Sequence, residues 1–175
     1  IAVHSMKDMP VALPEGRTEL DRLADIDGPM VFVASDLLVA SYKTRVSSLA
    51  ADSGRLLWFK DVASATGVTV DRIHLAATDR EGHIWLLDRR NGANLWKIEA
   101  LENRQLTRPA IYGDFVVVGD YEGYLHWIGI DDGEFAARTK VGGKGFTGAP
   151  VVAGGNLYVY TRKGELAAYR PVAAR

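Results

Sequence analysis

Two short motifs recur along the chain about every 40 residues, and this repeat constrains the fold more than any other feature of the sequence. The first motif is a turn glycine with tryptophan or alanine four residues later, and it occurs at Gly54, Gly92 and Gly133. The second motif has its turn glycine at Gly82, Gly123 and Gly164. Two interleaved motifs with one period are typical of the blades of a β-propeller.

The segments between these glycines have the composition of β-strands. In the third repeat, apolar and β-branched residues dominate 109–114, 115–120, 124–130 and 134–141. The connections between strands contain Asp-Gly, Glu-Gly or Asn-Gly pairs, which favour tight hairpins. Only residues 18–26 have a spacing of apolar residues that suits a helical turn. The sequence therefore predicts an all-β propeller of four-stranded antiparallel blades.

The repeat divides the chain into four blades within residues 29–175, with residues 17–28 as a linker. The predicted blades span about 29–64, 65–105, 106–144 and 145–171. The last one ends without a glycine–tryptophan segment and so lacks an outer strand of its own. Because an open strand edge exposes unpaired backbone groups, propellers fill such a gap from the other end of the chain. We expect the N-terminal segment, residues 1–16, to supply this closing strand.

Composition excludes several classes of protein. The net charge is −1, with acidic and basic residues interspersed, so no surface for nucleic acid or an anionic membrane is indicated. No apolar run approaches the roughly 20 residues of a membrane span. The chain has no cysteine, which excludes disulfides and thiolate chemistry. His74, His83 and His126 lack the spacing of metal ligands, so we predict ordinary strand residues and no metal site.

From Gly16 to Pro171 the sequence resembles the C-terminal half of the BamB family, the lipoprotein propeller subunit of the machinery that assembles outer-membrane β-barrels. The resemblance rests on RTELDRLADID, SLAADSGRLLW, VVVGDYEGYLHWI and GFTGAPVVAGGNLYVYTRKGELAAY. It implies a non-enzymatic scaffold on the periplasmic face of the outer membrane. The family is anchored through an N-terminal lipidated cysteine, and no such cysteine or signal peptide is seen here, so we expect a soluble chain.

The same resemblance implies a partner. In the family, an acidic loop at this place contacts a POTRA domain of the barrel-inserting subunit, and the loop maps onto Asp25 and Asp27. Exposed carboxylates on a rigid scaffold suit Arg or Lys of a partner, so we predict these two residues to bind it. The alternative is that Asp27 forms a turn with Gly28 and Pro29, and that Asp25 is an ordinary surface residue.

The first 16 residues resemble a different family. AVHSMKD followed by LPEG is similar to porphobilinogen deaminase, in which the Lys and Asp of this motif lie at the substrate cleft and the Asp is catalytic. These residues correspond to Lys7 and Asp8. That family binds a dipyrromethane cofactor through a cysteine thioether, and this chain has no cysteine. We therefore expect no catalytic activity, and we interpret the chain as a chimera of an enzyme fragment and half a propeller.

The tryptophan repeat also resembles quinoprotein propellers, whose dehydrogenases stack a quinone on a tryptophan and need calcium and a catalytic Asp. The sequence offers no residue set for these groups, so we predict no cofactor. We expect Trp58 and Trp96 to pack between adjacent blades. Trp85 and Trp127 are expected at equivalent positions of a neighbouring strand.

Four blades fit two architectures, a closed four-bladed ring or half of an eight-bladed ring. We favour the second, completed by a homodimer, because a half-ring leaves apolar faces at both ends. Three functions follow: a scaffold for protein–protein interaction in barrel assembly, an engineered or selected recombinant without a native function, and a residual tetrapyrrole or quinone enzyme. The residue inventory argues against the enzyme.

Overall fold

The computed structural model describes residues 28–42 and 44–171, which contain fifteen β-strands. Blade 1 consists of β1 (Val31–Val33), β2 (Asp36–Ala40), β3 (Val46–Ala50) and β4 (Leu56–Lys60). Blade 2 consists of β5 (Val68–Val70), β6 (His74–Thr78), β7 (Ile84–Asp88) and β8 (Asn94–Ile98). Blade 3 consists of β9 (Ala110–Tyr112), β10 (Phe115–Gly119), β11 (Tyr124–Gly129) and β12 (Phe135–Lys140). Blade 4 consists of β13 (Val151–Ala153), β14 (Asn156–Tyr160) and β15 (Leu166–Tyr169).

Each blade is an antiparallel sheet in which every strand pairs with the next one along the chain. The predicted all-β propeller is confirmed, and the first three blades have four strands each. The described part of blade 4 has three strands, so β15 is its edge. The strand expected to close it, and the helical turn expected at 18–26, lie outside the described residues. The described residues include no helix that could span a membrane.

The apolar core lies between the blades because successive side chains of a strand point to opposite faces of its sheet. We call the face toward the preceding blade the backward face and the face toward the following blade the forward face. In β10, Val116 and Val118 point backward into the core shared with blade 2. Val117 points forward, into the core shared with blade 4. A third core joins blades 1 and 2, so each junction buries two sheet faces.

The turn between β10 and β11 shows why the repeat needs its glycines. Gly123 has a φ of 86°, in the left-handed region that only glycine enters without strain. A Cβ at this position would lie 1.7 Å from the carbonyl oxygen of Gly142, in the connection to blade 4. The glycine therefore allows both the tight hairpin and the close approach of the chain as it leaves the blade.

Candidate functional site

The tryptophans of the first motif lock each blade to the next. The Trp58 indole N–H donates to a backbone carbonyl oxygen of blade 2 at 3.1 Å, and its ring covers Gly92, where a Cβ would lie 2.5 Å from a ring carbon. Trp96 repeats the arrangement one blade later, donating at 2.8 Å to a carbonyl of blade 3 and covering Gly133. The prediction that these tryptophans pack between blades is confirmed. The motif is thus a contact between consecutive repeats.

The third junction is built differently. Ala137 occupies the position of the tryptophan on β12, and it is exposed. The core of this junction contains Phe146, whose ring packs so closely on Gly119 that a Cβ there would lie 2.4 Å from it. Phe146 belongs to the core that also contains Trp127 and Leu157. Phe146 comes from the connection between blades, at the repeat position of Leu106 in the core of the preceding junction.

A buried aspartate fixes the hairpin between β10 and β11. The Asp120 side chain is fully buried. Its Oδ1 accepts the backbone N–H groups of Glu122 and Tyr124, both at 3.0 Å. Its Oδ2 lies 2.9 Å from His126 Nε2 and 2.8 Å from Arg104 Nε. Burial raises the pKa of Asp120, but the hydrogen bonds from His126, Tyr124 and Arg104 outweigh it and hold the pKa well below its usual range.

Asp79 has the same place in the hairpin between β6 and β7. Its Oδ1 accepts the backbone N–H groups of Glu81 and His83, at 3.1 and 2.9 Å. Its Oδ2 lies 2.7 Å from His83 Nδ1 and accepts the Trp85 indole N–H at 2.8 Å. His83 Nε2 lies 3.1 Å from a Glu102 carboxylate oxygen. Burial lowers the pKa of His83, but the hydrogen bonds to Glu102 and Asp79 outweigh it and raise the pKa above its ordinary value.

These two networks correct part of the sequence prediction. The expected equivalence of Trp85 and Trp127 is wrong, because the residue equivalent to Trp85 is His126. Both stand three residues after the turn glycine and bind the turn aspartate, whereas Trp127 lies one residue further and packs in the core shared with blade 4. In the second motif, an aspartate stands three residues before Gly82 and before Gly123. This spacing was the signal that could have revealed the networks.

The three histidines therefore have specific partners, and the expectation of a strand residue is wrong for His83, which lies just before β7. His74 Nδ1 also lies 2.9 Å from an aspartate, Asp71 Oδ2. In the described part of the chain, Asp79, Glu81 and His83 could bring three metal-ligating atoms within 4.8 Å of one another. Both ring nitrogens of His83 and Oδ2 of Asp79 already bind protein partners. We assign this cluster a structural role in the hairpin.

A pocket of about 440 Å³ lies on the rim of blade 3, and its lining combines two tyrosines with charged residues. The lining residues are Tyr121, Glu122, Tyr124, Lys140 and Lys144. The Arg138 guanidinium lies 3.7 Å and the Lys140 ammonium 4.0 Å from the centre of the Tyr124 ring. The Tyr124 ring therefore holds two cations at this pocket.

The residues that the sequence singled out for chemistry or binding lie elsewhere. Lys7 and Asp8, of the enzyme-like segment, fall outside the described residues, as do Asp25 and Asp27 of the acidic loop. Their roles remain predictions. The described surface closest in chain order to the acidic loop is the start of blade 1, where Met30 and Phe32 are exposed.

The family model for the outer membrane protein assembly factor BamB matches residues 6–98 and 99–174. This chain belongs to the BamB family. BamB of Xanthomonas campestris pv. campestris is 40% identical over 93% of this chain and 40% of its own length. BamB of Pseudomonas aeruginosa is 39% identical over 97% of this chain and 46% of its own length. The chain thus spans less than half of the curated relatives it matches.

Solved structures agree with this membership. The crystal structure of BamB from Moraxella catarrhalis superposes with a TM-score of 0.78 at 26% identity, covering 91% of this chain and 47% of that one. A quinohemoprotein alcohol dehydrogenase from Pseudomonas putida, at 17% identity and a TM-score of 0.66, shares the fold alone. The family match begins at residue 6, within the segment that resembles porphobilinogen deaminase. Both curated relatives are named as assembly factors rather than enzymes.

Proposed function

We propose that this chain is a non-enzymatic scaffold for protein–protein interaction in the assembly of outer-membrane β-barrels, at the periplasmic face of that membrane. The observation that carries the proposal is the match to the BamB family along nearly the whole chain, on blades of the expected geometry. The titratable groups of blades 2 and 3 support it as well. Among them, Asp79 and Asp120 bind backbone N–H groups of the protein's own turns.

The fold suits a scaffold because hydrogen bonds within the blades hold its turns in place. Each of the two aspartates holds two backbone N–H groups of its hairpin, and the interblade tryptophans hold the outer strands. Loops on such a support lose little conformational entropy when a partner binds, which favours affinity. A rigid array of blades can therefore present a loop in one orientation.

We propose the POTRA domain of the barrel-inserting subunit as the partner and Asp25 and Asp27 as its contacts. In the sequence, Asp25 and Asp27 precede the start of β1 by six and four residues. Carboxylates presented together pair well with Arg or Lys side chains, and such pairs steer association as well as stabilise it.

Binding of purified POTRA domains, measured by titration calorimetry, tests the proposal. The double variant Asp25→Lys and Asp27→Lys should lose most of the affinity, at least about tenfold. A matched control is Asp131→Lys with Glu134→Lys, which makes the same charge change on exposed residues beside the β11–β12 turn. Equal losses in both double variants would contradict a specific contact. Absence of binding by the unaltered chain would overturn the function itself.

The alternative is a recombinant chimera with no native function. The resemblance of AVHSMKD to porphobilinogen deaminase favours it. The same experiment separates the two, because a recombinant without function has no reason to discriminate between the acidic loop and the control positions.

We also propose that two chains associate as a homodimer. Four blades per chain would then give eight in the assembly.

A further inference from the structure

The pocket on the rim of blade 3, which we call the rim pocket, has an excess of positive charge. Its lining includes Lys140, Lys144 and one described carboxylate, that of Glu122. The Arg104 guanidinium already binds the Glu122 carboxylate. Lys140 Nζ donates to the backbone carbonyl oxygen of Glu122 at 2.6 Å, but within the described part of the chain neither lysine pairs with a carboxylate. The lining thus holds two ammonium groups without a counter-ion from those residues.

Two cations of β12 share one aromatic ring at the rim pocket. Arg138 Cζ lies 3.7 Å and Lys140 Nζ lies 4.0 Å from the centre of the Tyr124 ring. Both residues are exposed and stand two positions apart on β12, so their side chains lie on one face of the sheet. Arg138 also has no carboxylate partner among the residues that the structure describes. Two like charges at one ring repel each other, and a bound anion would offset this repulsion, so the arrangement favours an anionic ligand.

The equivalent place in blade 2 is neutralised by the protein itself. Lys97 stands 41 residues before Arg138, and its ammonium lies 4.8 Å from the centre of the Trp85 ring. Lys97 forms an ion pair with Glu99, whose counterpart in blade 3 is Lys140. Both blades therefore place a cation on an aromatic ring, but blade 3 has a second cation where blade 2 has a carboxylate. The unpaired charge belongs to a blade that has a described neighbour on each side.

We propose that the rim pocket binds carboxylate side chains from an acidic segment of a partner protein, through Arg138, Lys140 and Lys144. Guanidinium and ammonium groups form charge-assisted hydrogen bonds with carboxylates, which are stronger than those between neutral groups. Tyr121, which is 46% exposed in the same lining, offers a hydroxyl and an apolar ring to the peptide. The volume of about 440 Å³ lies in the range of ligand pockets. Such a contact uses none of the residues proposed for POTRA binding and adds a second partner surface to the scaffold.

Carboxylates around the rim pocket favour a peptide over an anionic membrane as the occupant. The side chain of Glu122 in the lining is 42% exposed, and that of Glu102, two residues before Arg104, is 56% exposed. Toward blade 4, a Glu165 carboxylate oxygen stands beside Gly142, where a Cβ would lie 2.2 Å from it. A flat anionic membrane would meet these carboxylates together with the cations, whereas an extended peptide contacts only the few groups that it reaches.

Fluorescence anisotropy of a labelled peptide of six glutamates, titrated with the full chain, tests the proposal. A peptide of six glutamines with the same label is the neutral probe. The double variant Arg138→Gln with Lys140→Gln removes two cations at the pocket. The matched control is Arg55→Gln with Arg72→Gln, which removes two exposed cations at the β3–β4 and β5–β6 turns. Because consecutive strands alternate in direction, these turns lie at the opposite end of the blades from the β10–β11 hairpin.

The unaltered chain should bind the glutamate peptide and not the glutamine peptide. Arg138→Gln with Lys140→Gln should raise the dissociation constant about tenfold or more. The control pair should raise it by less than about threefold, because distant exposed cations act only through a screened net charge. Circular dichroism checks that each variant keeps its β-structure, and Lys140→Gln with Lys144→Gln replaces the first pair if that variant fails to fold.

Equal losses in the two pairs would overturn the inference, because net charge alone would then account for binding. So would equal affinities for the two peptides, or no binding of either. Vesicles of phosphatidylglycerol and sedimentation of the free chain identify other occupants. If the glutamate peptide does not bind but Arg138→Gln with Lys140→Gln abolishes vesicle binding or self-association, the pocket serves a membrane or a second copy instead.

The POTRA titration is independent of these results. The variant Asp25→Lys with Asp27→Lys keeps all three cations of the rim pocket and should bind the glutamate peptide at least as tightly as the unaltered chain. A chain that binds the peptide but no POTRA domain overturns only the proposed function. A chain that binds POTRA through the acidic loop but does not bind the peptide overturns only the contact at the rim pocket.

Discussion

The inner hairpins of blades 2 and 3 start from the same motif but stabilise it with different partners. In blade 2, Oδ2 of Asp79 binds His83 and the neutral indole of Trp85. In blade 3, Oδ2 of Asp120 binds His126 and the Arg104 guanidinium. The comparison shows that the repeat determines how the backbone of the turn is held. The surroundings of each blade determine which side chains bind Oδ2 of the turn aspartate.

Blade 4 extends the comparison. Thr161 stands where the aspartates stand in blades 2 and 3, and its side-chain oxygen accepts the backbone N–H of Glu165 at 3.2 Å. Ala167 occupies the place of Trp85 and His126, and Glu165, in the place of His83, accepts a hydrogen bond from the Thr161 hydroxyl at 3.4 Å. A hydroxyl therefore suffices for the turn, and a carboxylate is found where N–H donors surround it.

The largest expected effect is that of Asp120→Ala. The substitution leaves His126 and two backbone N–H groups without their acceptor, and Arg104 keeps only Glu122 as a carboxylate partner, so the free energy of unfolding should fall by about 3–5 kcal/mol. Urea unfolding followed by tryptophan fluorescence measures it. Asp131→Ala, on an exposed turn residue, is the control and should change stability by less than about 0.5 kcal/mol. Similar losses in the two variants would contradict the role of Asp120.

A smaller loss is expected for Asp79→Ala. The Trp85 indole, the His83 ring and two backbone N–H groups lose their partner, but no guanidinium loses one of its carboxylates. The free energy of unfolding should fall by about 1–3 kcal/mol in the same urea titration. A loss larger than that of Asp120→Ala would show that the charge of Arg104 does not make the difference between the two hairpins.

The smallest expected effect is a pH dependence of the stability that His83 contributes in blade 2. Because the pKa of His83 is raised in the folded protein, its contribution to stability is complete below its ordinary pKa of 6.5 and is lost as the pH rises through the folded value. The stability advantage of the unaltered chain over His83→Gln should thus be greater near pH ~5.5 than near pH ~8. Urea midpoints of both proteins at the two pH values measure it. An equal advantage at both values would rule out this linkage.

Much of the fold could be predicted from the sequence. Strands expected at 109–114, 115–120 and 124–130 appear as β9, β10 and β11, because alternating apolar residues and Gly turns encode a local hairpin. The packing of Trp58 between blades followed from its constant distance to the turn glycine. Such features depend on spacing along the chain, and the sequence shows spacing directly.

The aspartate networks could not be predicted as easily. Arg104 reaches Asp120 from the connection between blades 2 and 3, sixteen residues away. His83 reaches Glu102 across nineteen residues. Hydrogen bonds of this kind depend on how a connection folds back onto a blade, and residue spacing does not reveal that path.

By itself, the sequence determined the number of repeats, the strands of each blade and the apolar character of both sheet faces, since turn glycines and two-residue alternation act locally. Only the tertiary structure decided which histidine or tryptophan shares each buried carboxylate, and that Leu166 is exposed where its counterpart Leu125 is buried. Burial depends on what packs above a side chain. The same residue type at the same repeat position is therefore core in one blade and surface in the next.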